Sequence, residues 1–297
     1  MNKFMKPCAI FFLVFIVVVV LSLWIFSSFY PHRFSKIGKK TVRTTSSFNA
    51  IRSLPYVSVG TEGTHGSGQN VVINEAQNTY SGLNLYTSSH ADEAYLIDMA
   101  GNVLHSWDLS RTKIWSKIAK KITTPIDGWR IAKVYPNLDL LAVYESLGLI
   151  KLDKNSQLLW VYSEAAHHDV WIDPSGDLYV LIQKIEKHPK LNENVPVIND
   201  YIAILDSAGE EKAIFSLLEI IHKSNYSFLL PVINNLDEKA PIDLLHTNSI
   251  QVFDGGLARK SGNLFKKGNI LISVRNLSTI FIIDLESEQI VFAWGPT

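Results

Sequence analysis

Residues 94–109 read AYLIDMAGNVLHSWDL: an apolar run that ends in Asp98, a short polar turn, and a second apolar run that reaches Trp107. The same order returns in GLIKLDKNSQLLWVYSE (148–164), YIAILDSAGEEKAIFSL (201–217) and TIFIIDLESEQIVFAWG (279–295). Asp98, Asp153, Asp206 and Asp284 hold equivalent places in these segments, as do Trp107, Trp160, Phe215 and Trp294. Two apolar runs of strand length around a polar turn make a β-hairpin. An Asp at the strand end can accept hydrogen bonds from the backbone of the turn that it opens. A terminal Trp or Phe supplies a large wedge between stacked sheets.

Between these hairpins lies a second type, VYPNLDLLAVYE (134–145), WIDPSGDLYVLIQ (171–183) and FKKGNILISVRN (265–276). Pro136-Asn137, Pro174-Ser175-Gly176 and Lys267-Gly268-Asn269 are its turns, each a tight-turn signal between two short apolar strands. Alternating the two hairpins gives a four-stranded unit, and such units recurring along a chain are the signature of a β-propeller. Helical patterns are confined to Leu217–Lys223 and the stretch around Arg111–Lys121, too few for a doubly wound α/β fold. The expected class is all-β, with about four blades' worth of repeats in residues 84–297.

Upstream, residues 8–30 read CAIFFLVFIVVVVLSLWIFSSFY without a charge. That run is long enough to cross a hydrocarbon core of about 30 Å as a helix, and Trp24, Phe29 and Tyr30 sit near one end as an interfacial belt would. With no A-x-A-like exit after it, the run is read as an uncleaved anchor rather than a signal peptide. The expected division is therefore a membrane anchor with flanks in residues 1–40, a linker or edge strand in 41–83, and a partial propeller in 84–297. The Ser-, Thr- and Gly-rich linker holds one strand candidate, Gln69–Ile73. Lys+Arg and Asp+Glu are both 28 across the 297 residues, so the zero net charge gives no support for nucleic-acid binding. A single cysteine excludes a disulfide framework and any multi-cysteine zinc or iron–sulfur site.

Three places interrupt the repeat: His167-His168-Asp169, His246-Thr247-Asn248-Ser249, and Arg275-Asn276. Strands that line a propeller channel gather their ends at one mouth. His167 or His168, His246 and Asn248 are expected to converge there, with Arg275 and Asn276 joining from a neighbouring strand. Imidazoles, an amide and a guanidinium around one funnel make an anion site, because the Arg fork matches sulfate or phosphate oxygens. A histidine there can donate to a reacting oxygen or act as nucleophile. A metal site is the competing chemical reading, since imidazole also suits zinc, copper or iron; the guanidinium argues against it. His90, His105, His188 and His222 fall on turns or outer hairpins and are expected at the surface.

Taken in order, AYLIDMAGNVLHSW, the HHD before PSGDLYVL, HTNS, and GNILISVRNLSTIFIIDLESEQIVFAWG resemble the bacterial arylsulfate sulfotransferases. The resemblance implies a six-bladed propeller that moves a sulfuryl group from an aryl sulfate to a phenol, ping-pong through a sulfated histidine, with no nucleotide sulfate donor and no cofactor. It implies that one histidine of the HHD pair, the H-x-N residues His246 and Asn248, and Arg275 hold the sulfate. The family's sulfated histidine lies further downstream, which implies that this chain is C-terminally truncated. The family is typically periplasmic. Arg33, Lys36, Lys39, Lys40 and Arg43 after the apolar run favour the opposite orientation; the resemblance is given precedence, for a single-pass inner-membrane protein with its soluble part in the periplasm. Two readings stand beside the transferase: a membrane-tethered propeller that binds a partner without catalysis, and a metal-dependent hydrolase or lyase.

Overall fold

The computed structural model describes residues 75–88, 91–116, 128–233 and 240–295, all within a compact unit that spans Thr45–Thr297. The expected anchor Cys8–Tyr30, the strand candidate Gln69–Ile73 and His90 lie outside the described residues. Among the described residues no helix is long and apolar enough to cross a membrane.

The described residues form four sheets, antiparallel apart from one short strand, arranged as the blades of a β-propeller. The first holds β1 (Leu83–Thr87), β2 (Glu93–Asp98) and β3 (Val103–Asp108). The second holds β4 (Ile131–Val134), β5 (Leu140–Tyr144), β6 (Gly148–Leu152) and β7 (Leu158–Tyr162). The third runs β8 (Ala166–Ile172), β9 (Leu178–His188), β10 (Asn192–Leu205) and β11 (Glu211–Ser216), and adds β12 (Ile242–Asp243) in parallel to β10. The fourth holds β13 (Thr247–Val252), β14 (Ile270–Val274), β15 (Thr279–Asp284) and β16 (Gln289–Trp294). These four sheets stand where the resemblance implies six blades. Helix is scarce among the described residues: α1 is a single turn, Arg111–Ile114, α2 is Leu217–Lys223, the span its pattern indicates, and α3 is a single turn, Ala258–Ser261.

The repeated Asp does what its place demands. Asp98 Oδ1 accepts from the amides of Ala100 and Asn102, each at 2.9 Å. Asp153 Oδ1 accepts from Asn155 and Gln157 at 2.8 Å, and Asp206 Oδ1 from Ala208 at 2.9 Å and Glu210 at 3.0 Å. Each carboxylate thus satisfies turn amides that have no ladder partner.

The outer-strand aromatics join one blade to the next. Trp107 on β3 is completely buried, and its indole N–H donates to the Leu138 carbonyl in the β4–β5 turn at 3.1 Å. Trp160 on β7 donates to the Ser207 carbonyl in the β10–β11 turn at 3.2 Å. That turn must carry Gly209: its φ is +83°, and a Cβ there would stand 2.8 Å from the Trp160 ring. Phe215 packs against the core shared by the third and fourth sheets. Trp294 departs from the expected wedge, being 68% exposed, because no described sheet covers the outer face of β16. His188 is a second correction: it is buried, with Nε2 2.9 Å from Glu219 Oε1 on α2. His105 is also tied in, 2.8 Å from the Lys154 carbonyl of the next blade.

Candidate functional site

Two bulged strand ends carry the candidate histidines. The β8–β9 register breaks between Ala166 and Val170, and His168 sits in that break with φ +53°. The β13–β14 register breaks between Thr247 and Ser249, just after His246 with φ +51°. Left-handed backbone at a non-glycine residue is strained, and bulges re-aim side chains at sheet edges. Both strained corners face one another: the His168 and His246 rings meet edge to face with centroids 4.9 Å apart.

His246 is held from three sides. Asp243, the end of β12, takes the His246 amide at 3.1 Å and its Nδ1 at 2.5 Å. Arg275, where β14 gives way to a 3-10 turn, brings Nη1 to 3.2 Å from His246 Nε2. A carboxylate only accepts and a guanidinium only donates. His246 therefore carries its proton on Nδ1 and keeps the Nε2 lone pair toward Arg275. The placement of Asp243 comes from β10, which pairs with β12 through Ile198 and Asp243.

His168 is held differently. Its Nδ1 lies 3.0 Å from Nδ1 of His167 and 3.6 Å from Glu145 Oε1, and its amide lies 3.3 Å from Glu145 Oε2. Burial pushes its pKa down to about 2, helped by the nearby His167, Arg130, His246 and Arg275. His167 points away into the interior: its side chain is 2% exposed, and Nε2 lies 3.6 Å from Asp200 Oδ1. Burial lowers His167 to about 4 and raises the equally buried Asp200 to about 7. Both neutral imidazoles thus stay neutral beside an arginine, which suits a site for an anion that brings its own charge.

The arylsulfotransferase (ASST) family model matches residues 68–297. The chain belongs to this family. No curated protein matches the chain at a significant level. Among solved structures, this arylsulfotransferase-family chain is similar to BamB from Moraxella catarrhalis at 11% identity, over 77% of this chain and 68% of that chain, with a TM-score of 0.33. It is similar to a protein of unknown function from Bacteroides caccae at 13% identity, over 73% of each chain, with a TM-score of 0.30.

In this arylsulfotransferase-family chain the structure brings His168, His246 and Arg275 together; within the HHD run His168 meets His246, and His167 lies behind it. Asn248 is exposed on β13, at the bulge. Asn276 turns its amide nitrogen onto the Asp243 carbonyl at 2.8 Å, so it secures the segment that holds His246. Asp169 of the HHD run links sheets: it accepts the Ile250 amide at 3.2 Å and pairs with Lys133 at 3.1 Å. Sequence reasoning missed Asp243, Glu145, Arg130 and Asp200. Only Asp243 left a local trace, three residues before His246.

Glu145, His167 and His168 bring potential metal-ligating atoms within 4.8 Å of one another. The 3.0 Å contact engages one nitrogen of each ring with the other, and Arg130 Nε lies 3.8 Å from Glu145. We read the group as a hydrogen-bonded pair beside an ion pair, not as a ligand set.

Proposed function

We propose that the protein transfers a sulfuryl group from an aryl sulfate ester to a phenolic acceptor, by a ping-pong route through a sulfated histidine. The observation that carries this reading is the 3.2 Å contact of Arg275 with the Nε2 lone pair of His246, which Asp243 fixes in that tautomer. A sulfate ester is a planar-faced anion, and the Arg275 fork matches two of its oxygens. His246 orients the fork, and His168 offers a neutral ring to the bridging oxygen. A histidine nitrogen attacks sulfur, the sulfur–aryloxy bond breaks, and the phenol leaves; a second phenol then attacks the same sulfur and breaks the nitrogen–sulfur bond.

Family membership supports the enzyme reading over a tethered binding module. The uncharged run at residues 8–30 supports an inner-membrane tether, and the family resemblance, not the flanking charges, supports the periplasmic side. The test is release of nitrophenol from p-nitrophenyl sulfate with and without phenol. The expected results are faster release with acceptor, parallel double-reciprocal lines, and a protein adduct of one sulfuryl group with donor alone. No release from any of several aryl sulfates would overturn the reading.

A further inference from the structure

Behind His168 runs a buried chain of groups that sulfate binding does not use. His168 Nδ1 meets His167 Nδ1 at 3.0 Å, and His167 Nε2 faces Asp200 Oδ1 at 3.6 Å. His167 Nε2 is buried and makes no hydrogen bond among the described residues. The other Asp200 oxygen takes the Thr247 amide at 2.7 Å, which leaves Oδ1 as the oxygen toward the ring. Glu145 also lies 3.6 Å from His168 Nδ1, but that nitrogen already meets His167 at 3.0 Å, whereas His167 Nε2 faces Asp200.

We infer that Asp200, His167 and His168 form a proton relay, so that a proton accepted at His168 Nε2 is matched by one delivered to Asp200. The substrate of the relay rests on the sulfuryl-transfer reading above. At rest Asp200 is the acid and faces His167 Nε2 at 3.6 Å, His167 Nδ1–H donates to His168 Nδ1 at 3.0 Å, and His168 holds its proton on Nε2. When the sulfur–oxygen bond of the donor breaks, the leaving phenolate takes the Nε2 proton of His168. The His167 Nδ1 proton moves to His168 Nδ1, the Asp200 proton moves to His167 Nε2, and Asp200 is left as a carboxylate. The acceptor phenol reverses each move: its oxygen bonds to sulfur, the nitrogen–sulfur bond breaks, its proton enters at His168 Nε2, and Asp200 regains its own. One proton is stored between the two half-reactions, and no ring becomes an imidazolium.

The surroundings favour this arrangement. Arg130, Arg275 and His246 disfavour a positive charge on His168. Asp243 and His246 act on both His167 and Asp200, but burial outweighs them and favours the neutral form of each. A buried carboxyl is then the place where a proton rests most easily. Asp200 and His167 act through His168 and are positioning residues.

The test uses the full chain labelled with ¹⁵N-histidine, followed by ring-nitrogen NMR across neutral pH. His167 and His168 should exchange tautomer together as Asp200 loses its proton near pH 7, with neither ring doubly protonated. Asp200→Asn should abolish the exchange. A ring that titrates to imidazolium in this range, or the same exchange in Asp200→Asn, overturns the relay. If that variant fails to fold, His167→Gln should leave His168 in one tautomer at every pH; continued exchange there overturns it equally. With a series of aryl sulfates, Asp200→Asn should lose rate more steeply as the leaving phenol becomes more basic, by about 100-fold for the poorest, whereas an unchanged slope counts against the relay. Absence of turnover in the wild-type protein would sink the sulfuryl-transfer reading alone, because the NMR exchange needs no substrate.

Discussion

Arg275 Nη1 lies 3.2 Å from His246 Nε2, while the opposite nitrogen of that ring is 2.5 Å from Asp243. The three residues form a line in which a carboxylate dictates the tautomer and a guanidinium reads it. The line depends on Asp243 remaining an acceptor. Asp243→Asn keeps the shape and offers an amide that can donate instead, which permits the wrong tautomer. We expect turnover of p-nitrophenyl sulfate to fall about 10- to 100-fold, with the thermal midpoint little changed. A variant with full turnover would remove the tautomer from the mechanism.

Arg275 should contribute to anion affinity chiefly through its geometry. Arg275→Ala is expected to weaken inorganic sulfate binding by about 1.5–3 kcal/mol, the range for a hydrogen bond to a charged group. Arg275→Lys should recover only part of this, because an ammonium is a point charge without the planar fork. Calorimetric titration with sulfate distinguishes the two, and equal affinity of the Lys variant and wild type would argue against bidentate capture.

Stability should depend on pH in a direction fixed by the buried groups. His167 and His168 are pushed below their usual range, to about 4 and about 2, so the unfolded chain binds more protons than the folded one beneath pH 6.5. Their contribution is complete above that pH and is lost as pH falls. Asp200 is raised from 3.8 to about 7, so its contribution has the opposite sign and is lost as pH rises through that interval. Two groups oppose one, and unfolding free energy should rise between about pH 4 and 6.5. Asp200→Asn removes the opposing part and should steepen the rise. Urea titrations at several pH values test this, and a slope unaffected by the substitution would contradict the assignment.

The two end-strand tryptophans should behave in opposite ways. Trp107→Ala empties a completely buried site and strands the Leu138 carbonyl, at a cost of about 3–5 kcal/mol. Trp294→Ala, at a residue that is 68% exposed, should change stability by no more than about 0.5 kcal/mol. Urea midpoints of the two variants give the comparison directly.

The contrast between those tryptophans also shows what a sequence can express. The hairpin repeat is legible because strand alternation and turn chemistry are local, and Asp98, Asp153 and Asp206 act within four residues of themselves. Whether a terminal Trp is covered depends on a neighbouring sheet, and the repeat treats Trp107 and Trp294 alike. His168, His246 and Arg275 could be picked out because they break the repeat. Asp200 could not, since it lies mid-strand on β10 and touches Thr247 from 47 residues away. The separate roles of His167 and His168 are invisible for a different reason: a left-handed residue at position 168 reverses the alternation that would otherwise place neighbours on opposite faces.

The indole contacts between blades also set an order in time. Trp107 precedes its carbonyl partner Leu138 by 31 residues, and Trp160 precedes Ser207 by 47. On the ribosome the first and second sheets are made with Trp107 and Trp160 bare, and the turn of the following sheet then covers each. Over these two sheets synthesis advances with a greasy indole exposed at the growing end until the next turn seals it.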